Sequence, residues 1–250
     1  MKLKMLLLCS IILILLFSVC ANAEEPLQPD FAQFIDEAGV ANIPLEINGV
    51  PVTKIPAKAF YKNLELKKVI IPASVTEIDK YAFYKCENLA EVVFSDNVTK
   101  IGLYAFSACN NLQNITMPKE LNAVSEFAFM NCKMLKSVVF GDNVKSIGFA
   151  AFSGCTELVS INFGNSVENI AAVAFSKCEK LETVELPKTL IRLNEDTFSA
   201  CPLLKNVVLR GEVTTVHPNA TRNSPLAIIT VSPLTEIVPE AVTLPEVVSQ

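Results

Sequence analysis

Cysteine is the residue type whose regular spacing in this sequence could support a catalytic, redox or metal-binding role. Thiols can act as nucleophiles, form disulfides or bind zinc. Beyond the first twenty residues they recur at a constant interval, at positions 86, 109, 132, 155, 178 and 201. A thiol nucleophile is usually activated by a neighbouring histidine, and the chain has one histidine, His217, at the end of the series. We therefore predict neither a catalytic thiol nor a multi-histidine metal site, and we expect His217 to be a turn residue.

The constant interval also argues against pairing of these cysteines. Equivalent residues of stacked coils lie ~4.8 Å apart with parallel Cα–Cβ directions, whereas a disulfide needs Cβ atoms about 3.5–4.5 Å apart that face each other. A straight column cannot form the tetrahedron that zinc requires. We predict a ladder of buried thiols, each a small apolar filler that donates weakly to a turn carbonyl. Disulfides between neighbouring coils are the alternative.

The cysteines belong to a longer repeat that must position them. Phenylalanine stands three residues before each cysteine and leucine three residues after it. An earlier copy has Phe60, with Asn63 in the cysteine place. A fixed period in several columns at once is the mark of a solenoid, whose coils bury their apolar faces against one another.

Two kinds of periodicity alternate within one repeat. Val92 and Phe94 alternate with outward positions, as in a half-buried strand. Val98 and Ile101 indicate a second short extended stretch, and the Ala-Phe segment that follows has the spacing of a turn or a single turn of helix. The predicted fold is a repeat solenoid with a parallel β-sheet, in which each coil contributes two short strands plus a turn or short helix.

The sequence before the repeats predicts an N-terminal helical cap. Asp30 can open a short helix, with Gln33 placed to complete a capping box and Gly39 placed to end it. Asn48-Gly49 is a hairpin turn signal before the first full coil. The predicted division is a signal peptide, a cap with a first strand, seven 23-residue repeats, and a degenerate repeat with a tail, over residues 1–23, 24–54, 55–220 and 221–250.

The first 23 residues have the pattern of a secretory signal peptide. Lys2 and Lys4 precede an apolar run, and a small-x-small site ends at Ala23, after which we expect cleavage. A membrane anchor is the alternative, although the apolar run is short for a span. Lipidation at Cys20 is a second alternative. The mature chain is thus predicted to be secreted or held at the cell surface, without a transmembrane span.

One column of strand residues is predicted to point outward between the buried columns of Val92 and Phe94. It consists of Ile70, Val93, Thr116, Val139, Asn162, Glu185 and Val208. Four of these are aliphatic, and a polar column runs beside them, which is typical of a protein-binding surface. The alternative is that β-branched residues simply suit strands. A further aromatic column, Tyr81, Tyr104 and Phe127, is predicted to pack between neighbouring coils.

Charge and composition narrow the function further. The net charge of −5 disfavours nucleic acid as a partner, because phosphate contacts require clustered lysine and arginine. The chain has 8 glycines and shows no glycine-rich phosphate loop. We predict that the protein is not an enzyme and uses no cofactor and no metal.

The repeat resembles the 23-residue leucine-rich repeat of BspA-type surface proteins. Residues 47–60 resemble the opening of that repeat array, and residues 101–109, Ile-Gly-Leu-Tyr-Ala-Phe-Ser-Ala-Cys, are similar to its most typical form. The resemblance covers residues 43–217. It implies a leucine-rich-repeat fold and extracellular adhesion or protein binding.

Two functions are consistent with these patterns. The first is an exported monomer that binds an extracellular protein or cell-surface macromolecule through the outward column. The second is a structural or assembly role in the cell envelope through end-to-end stacking of solenoids. The predicted cap favours the first, since capped ends resist polymerisation.

Overall fold

The structure is a computed structural model and describes residues 30–211, 213, 215–231 and 247–249. The predicted signal peptide, with Cys20 and the cleavage site after Ala23, lies outside the described residues, as does most of the predicted tail. In the described part of the chain, no helix is long and apolar enough to cross a membrane.

The longer strand of each coil belongs to a row of parallel strands, which continues past the full coils at both ends. Numbered in chain order, these strands are β1 (Val40–Asn42), β5 (Lys68–Ile70), β7 (Glu91–Val93), β9 (Asn114–Thr116), β11 (Ser137–Val139), β13 (Ser160–Asn162), β15 (Thr183–Leu186), β17 (Asn206–Leu209), β19 (Ile228–Val231) and β20 (Val247–Ser249). The row consists of three sheets, in the orders β1-β5-β7, β9-β11-β13 and β15-β17-β19-β20.

The shorter strand of each coil forms one continuous parallel sheet of eight strands. Its members are β4 (Lys54–Ile55), β6 (Glu77–Ile78), β8 (Lys100–Ile101), β10 (Ala123–Val124), β12 (Ser146–Ile147), β14 (Asn169–Ile170), β16 (Arg192–Leu193) and β18 (Thr215–Val216). Each strand has one outward residue followed by one buried apolar residue, so the two-residue period directs one side chain per coil into the core. The predicted two strands per coil are confirmed.

The Ala-Phe segment that joins these strands to the next long strand is a run of turns rather than a helix. In the second coil, Tyr81, Phe83 and Lys85 each donate a backbone hydrogen bond to the next coil, over 3.0, 2.7 and 2.9 Å. The intervening residues donate within their own coil, as Tyr84 N–H does to the Tyr81 carbonyl. Every second amide therefore ties one coil to the next, which satisfies the buried backbone without a helix.

The core consists of the repeated columns. The seven phenylalanines of the repeat column, which recur every 23 residues from Phe60 to Phe198, are at most 1% exposed. Successive rings of this column lie 4.8–5.6 Å apart and within 13° of parallel. The six cysteines and the leucines that follow them are fully buried beside this stack. In a single coil the faces of the phenylalanine ring would be exposed to water, so burial of this residue depends on the stacking of coils.

The N-terminal end differs from its prediction. A 3-10 helix covers Phe31–Phe34 only, and the chain then turns through Gly39 into β1 instead of continuing as helix. The helix still places Phe31, 3% exposed, edge-on against Phe60 at 6.1 Å between ring centroids. The predicted hairpin is present as β2 (Glu46–Ile47) and β3 (Val50–Pro51), with Asn48 and Gly49 both at positive φ.

Candidate functional site

The cysteine thiols of the repeat are buried, and their hydrogen bonds and raised pKa values make them unreactive. All six cysteines of the described residues are free, and each Sγ donates to the backbone carbonyl of the phenylalanine in the preceding coil over 2.9–3.6 Å. Burial raises the pKa of Cys86, Cys132 and Cys201 to about 12. The predicted ladder of buried thiols is confirmed, and the thiols are protonated at neutral pH, which leaves them poor nucleophiles.

The first coil differs from the others in its hydrogen bonding. Asn63, in the cysteine place of the first coil, does not donate to a neighbouring coil; its Oδ1 accepts from the backbone amides of Glu65 and Leu66, both at 2.9 Å. The first coil has no full coil before it, so Asn63 closes its own turn.

Within the described ranges, no cluster of three or more His, Cys, Asp or Glu side chains could hold a metal ion.

The predicted outward column lies on the outer face of the long strands. Ile70, Val93 and Val139 are 37%, 40% and 37% exposed, and Thr116, Asn162 and Glu185 are also exposed, while Val208 is half-buried. Parallel pairing aligns Ile70 with Val93, Val139 with both Thr116 and Asn162, and Glu185 with Val208. The structure thus gives these residues the predicted orientation and leaves their role in binding as a prediction.

A polar column borders this face, as expected. Lys68 pairs with Glu91 at 2.8 Å, and Ser137 donates to Asn114 at 2.7 Å. One position before the column, Lys205 pairs with Glu182 at 2.9 Å. These contacts are exposed and add little stability. They do form a polar rim beside the aliphatic residues.

Two depressions divide the outward column at the sheet interruptions. The first, about 260 Å³, is lined by Val93 and Thr116 among others, and the second, about 530 Å³, by Asn162 and Glu185 among others. In both places, a coil with Phe at the fourth position counted from the start of its long strand is followed by a coil with Met or Leu at that position and proline after it. These junctions are Phe94 to Met117-Pro118, and Phe163 to Leu186-Pro187.

A second surface, which we call the tyrosine patch, lies along the turns after the short strands. The predicted aromatic column is confirmed: Tyr81 stacks on Tyr104 at 5.2 Å, and Tyr104 on Phe127 at 4.5 Å. Tyr84 also packs edge-on against both Tyr81 and Tyr104, and stacks on Tyr61 at 5.3 Å. The patch therefore holds all four tyrosines of the chain, with Phe127.

Three lysines complete the tyrosine patch. Lys58 and Lys62 lie over the ring of Tyr61, with Nζ 5.9 and 5.0 Å from its centroid, and Lys85 lies 5.7 Å from the centroid of Tyr84. Such cation–π contacts stabilise a lysine only modestly at an exposed site. Sequence reasoning missed that Tyr61 and Tyr84 form a second aromatic column that packs against the first, although both follow the core phenylalanine of adjacent coils.

The stacked coils, the two strand rows and the repeated Phe, Cys and Leu columns define a leucine-rich-repeat solenoid. Solenoids of this class are typically non-enzymatic and bind other proteins. The family model described as BspA type leucine rich repeat region matches residues 53–148 and 122–242, with 6 copies of the repeat. The chain belongs to this family.

Solved structures show the same fold. The crystal structure of a T. pallidum leucine-rich repeat protein is 28% identical and covers 69% of this chain and 70% of its own, with a TM-score of 0.52. A leucine-rich repeat protein from Eubacterium ventriosum is 22% identical and covers 63% of this chain and 59% of its own, with a TM-score of 0.54. No curated protein is significantly similar to the chain in sequence.

Proposed function

We propose that this protein is exported and binds another protein, at the cell surface or in the secreted state, through the outward column of its long strands. The observation that carries the proposal is the exposure of Ile70, Val93 and Val139, each more than a third exposed, at the same position of three parallel long strands. Ile70 is paired with Val93 in one sheet, and Val139 is paired with Thr116 in the next. Exposed aliphatic residues in register, with a polar rim, form the kind of patch that becomes the core of a protein interface.

The repeat architecture supports this role. Every side chain of the column lies on a strand that is hydrogen-bonded to at least one neighbouring strand, so the backbone of this surface is ordered before a partner binds. A preorganised surface loses little conformational entropy on binding. The export part of the proposal depends on the leader pattern of residues 1–23, and adhesion to extracellular material follows from the family resemblance.

Binding is tested with the chain from residue 24 onward, immobilised and exposed to extracellular-matrix proteins and to intact bacterial cells. The key variant is the double substitution Val93→Glu and Val139→Glu, because both side chains point to solvent and neither supports the core. We expect it to abolish saturable binding while the thermal unfolding midpoint stays unchanged. Buried charges in a docked apolar interface are strongly unfavourable.

A matched control carries Val159→Glu and Leu226→Glu, which are 54% and 52% exposed and lie outside the column. It adds the same charge and should bind like the parent. Equal binding by the Val93/Val139 variant would refute the assignment to this face. Absence of binding, with end-to-end oligomers detected by light scattering, would instead support the envelope-assembly role.

A further inference from the structure

We propose that the tyrosine patch, Tyr61, Tyr81, Tyr84, Tyr104 and Phe127 with Lys58, Lys62 and Lys85, is a second docking surface that takes an acidic segment of a partner protein. The patch lies on the turn segments, whereas the outward column lies on the long strands. The proposal therefore stands on different residues from the function proposed above and can fail or hold independently of it.

The first argument is charge. The stretch that contains most of the patch is basic in an otherwise acidic chain of net charge −5. Between residues 54 and 85 lysine occupies positions 54, 58, 62, 67, 68, 80 and 85, against acidic residues at 65, 77 and 79. Of these lysines, Lys54 and Lys68 are neutralised by ion pairs with Asp79 and Glu91.

The three lysines of the patch are different. None of the ion pairs found in the described part of the chain includes Lys58, Lys62 or Lys85. Each instead lies over a tyrosine ring; Lys58 and Lys62 are exposed, and Lys85 is half-buried. An unpaired cationic surface attracts a partner of opposite charge and accelerates its encounter.

The second argument is the aromatic content. Tyrosine is enriched at the energetic centres of protein interfaces because it combines a large apolar ring with a hydroxyl donor. Tyr61 is 39% exposed, and Tyr81, Tyr84 and Tyr104 are half-buried. Desolvation, with the neighbouring Tyr81, Tyr84 and Glu126, raises the pKa of Tyr104. Its hydroxyl therefore remains a neutral donor that can hydrogen-bond to a carboxylate.

The third argument distinguishes an acidic protein from an anionic glycan. A sugar ring docks flat on an open aromatic face, but the faces here are covered. Tyr104 is sandwiched between Tyr81 and Phe127 with interplanar angles of 6° and 3°, and Tyr61 is covered by Tyr84 and by Lys62. What remains for a partner are ring edges, which carry the positive end of the quadrupole, hydroxyl groups and ammonium groups. These suit aspartate and glutamate side chains.

The experiment measures binding of a soluble glutamate-rich peptide that contains leucine, by isothermal titration with the chain from residue 24 onward. The same peptide with every glutamate replaced by glutamine is the ligand control, and hyaluronate is the glycan probe. The key variant carries Lys58→Gln, Lys62→Gln and Lys85→Gln. The matched variant carries Lys133→Gln, Lys145→Gln and Lys180→Gln, which removes the same charge from exposed lysines outside the patch.

We expect the acidic peptide to bind and the glutamine peptide not to bind. The Lys58/Lys62/Lys85 variant should lose affinity by about tenfold or more, and the matched variant should lose much less. Tyr61→Ala should also weaken binding, and rising salt should weaken it because Lys58 and Lys62 are solvent-exposed. The Val93→Glu and Val139→Glu variant should bind the peptide like the parent, which separates this surface from the outward column.

Three results would overturn the proposal. The first is absence of peptide binding by the parent chain. The second is equal loss of affinity in both lysine variants, which would show that net charge alone governs the interaction. The third is binding of hyaluronate in preference to the peptide with the same dependence on the patch, which would assign the surface to an anionic glycan.

Discussion

The thiol of Cys109 donates a hydrogen bond to the backbone carbonyl oxygen of Phe83, 3.2 Å away in the preceding coil. The same oxygen accepts the amide of Cys86 over 3.2 Å, so both of its lone-pair directions are used. The bond from the thiol to the phenylalanine carbonyl recurs for all six cysteines of the described residues. It extends to Ser224, whose hydroxyl occupies the cysteine place of the eighth turn and donates to the Phe198 carbonyl at 2.8 Å. The repeated cysteine is thus explained by packing and hydrogen bonding.

The first prediction concerns alkaline pH. An unfolded thiol loses its proton near pH 9, whereas buried Cys132 keeps its proton up to a pKa of about 12. Between these values the folded state binds more protons than the unfolded state, so stability is fully present below pH 9 and falls as pH rises toward 12. We expect the slope of unfolding free energy against pH to become shallower in Cys132→Ala, by up to about 1.4 kcal/mol per pH unit.

Urea unfolding of parent and variant at a series of pH values from 8 to 12 measures this slope, with the other titrating groups common to both proteins. An identical slope in the two proteins would contradict the assignment of a protonated, buried thiol. Reaction of the folded parent with a thiol reagent at neutral pH would contradict it as well.

The second prediction concerns the phenylalanine stack. Phe129 is fully buried between Phe106 and Phe152, at 5.2 Å from each ring. Phe129→Ala should destabilise the fold by about 3–5 kcal/mol, because it removes the ring and leaves a cavity. Phe149→Ala is the control, since Phe149 is 40% exposed and should lose far less. Chemical denaturation of both variants gives the comparison, and equal losses would show that the stack does not carry the core.

The repeat made most of the fold predictable. Phe83, Cys86 and Leu89 recur at fixed spacing, and because a solenoid buries equivalent residues equivalently, one coil specifies the core of all the others. The outward orientation of Val93 and Val139 followed from the two-residue period of a strand. The thiol ladder followed from the parallel Cβ directions in a stack.

The other features of the fold depend on contacts between neighbouring coils, which the 23-residue period alone does not specify. The interruptions beside Val93 and Asn162 occur where a coil with Phe is followed by a coil with Met-Pro or Leu-Pro at the equivalent positions, whereas the reverse order, as in β5 followed by β7, is paired without a break. No single coil reveals this dependence on its neighbour. Tyr61 and Tyr84 belong to a different column from Tyr81, and only the path of the turn brings the two columns together. The 3-10 helix at Phe31–Phe34 was predicted too long, because Ile35 bridges to Ala41 and ends it.

The third prediction compares two glycines with left-handed backbone. Gly39 and Gly49 have φ of +84° and +78°, a backbone conformation in which alanine is strained. A Cβ at Gly49 would meet nothing within 4 Å, whereas one at Gly39 would lie 2.6 Å from the carbonyl oxygen of Glu65. Gly49→Ala should therefore cost about 1–2 kcal/mol of backbone strain.

Gly39→Ala should cost this strain together with about 1–3 kcal/mol for the steric clash. The two variants share the same substitution and the same backbone region, so the difference between their unfolding free energies isolates the close approach of the chain at Glu65. Equal stabilities would mean that β1 and the first coil are not in contact as described.

The fourth prediction concerns Val173, which has a φ of +64°. A β-branched residue in the left-handed region is strained, and the strain costs about 1–2 kcal/mol. The conformation is imposed by the turn, because the Val173 amide donates to Glu195 in the next coil and its carbonyl accepts from Ser176. Asparagine adopts this region readily, so Val173→Asn should raise the unfolding free energy by about 1 kcal/mol after the loss of some apolar contact.

Val159→Asn is the matched control for this substitution. Val159 is 54% exposed and lacks the left-handed backbone, so its replacement should change stability by less than about 0.5 kcal/mol. Urea denaturation of the two variants beside the parent measures both effects. A gain at Val173 without a gain at Val159 would show that the left-handed turn position, and not asparagine itself, is the source of the stabilisation, whereas a loss at Val173 would show that its half-buried contacts outweigh the backbone strain.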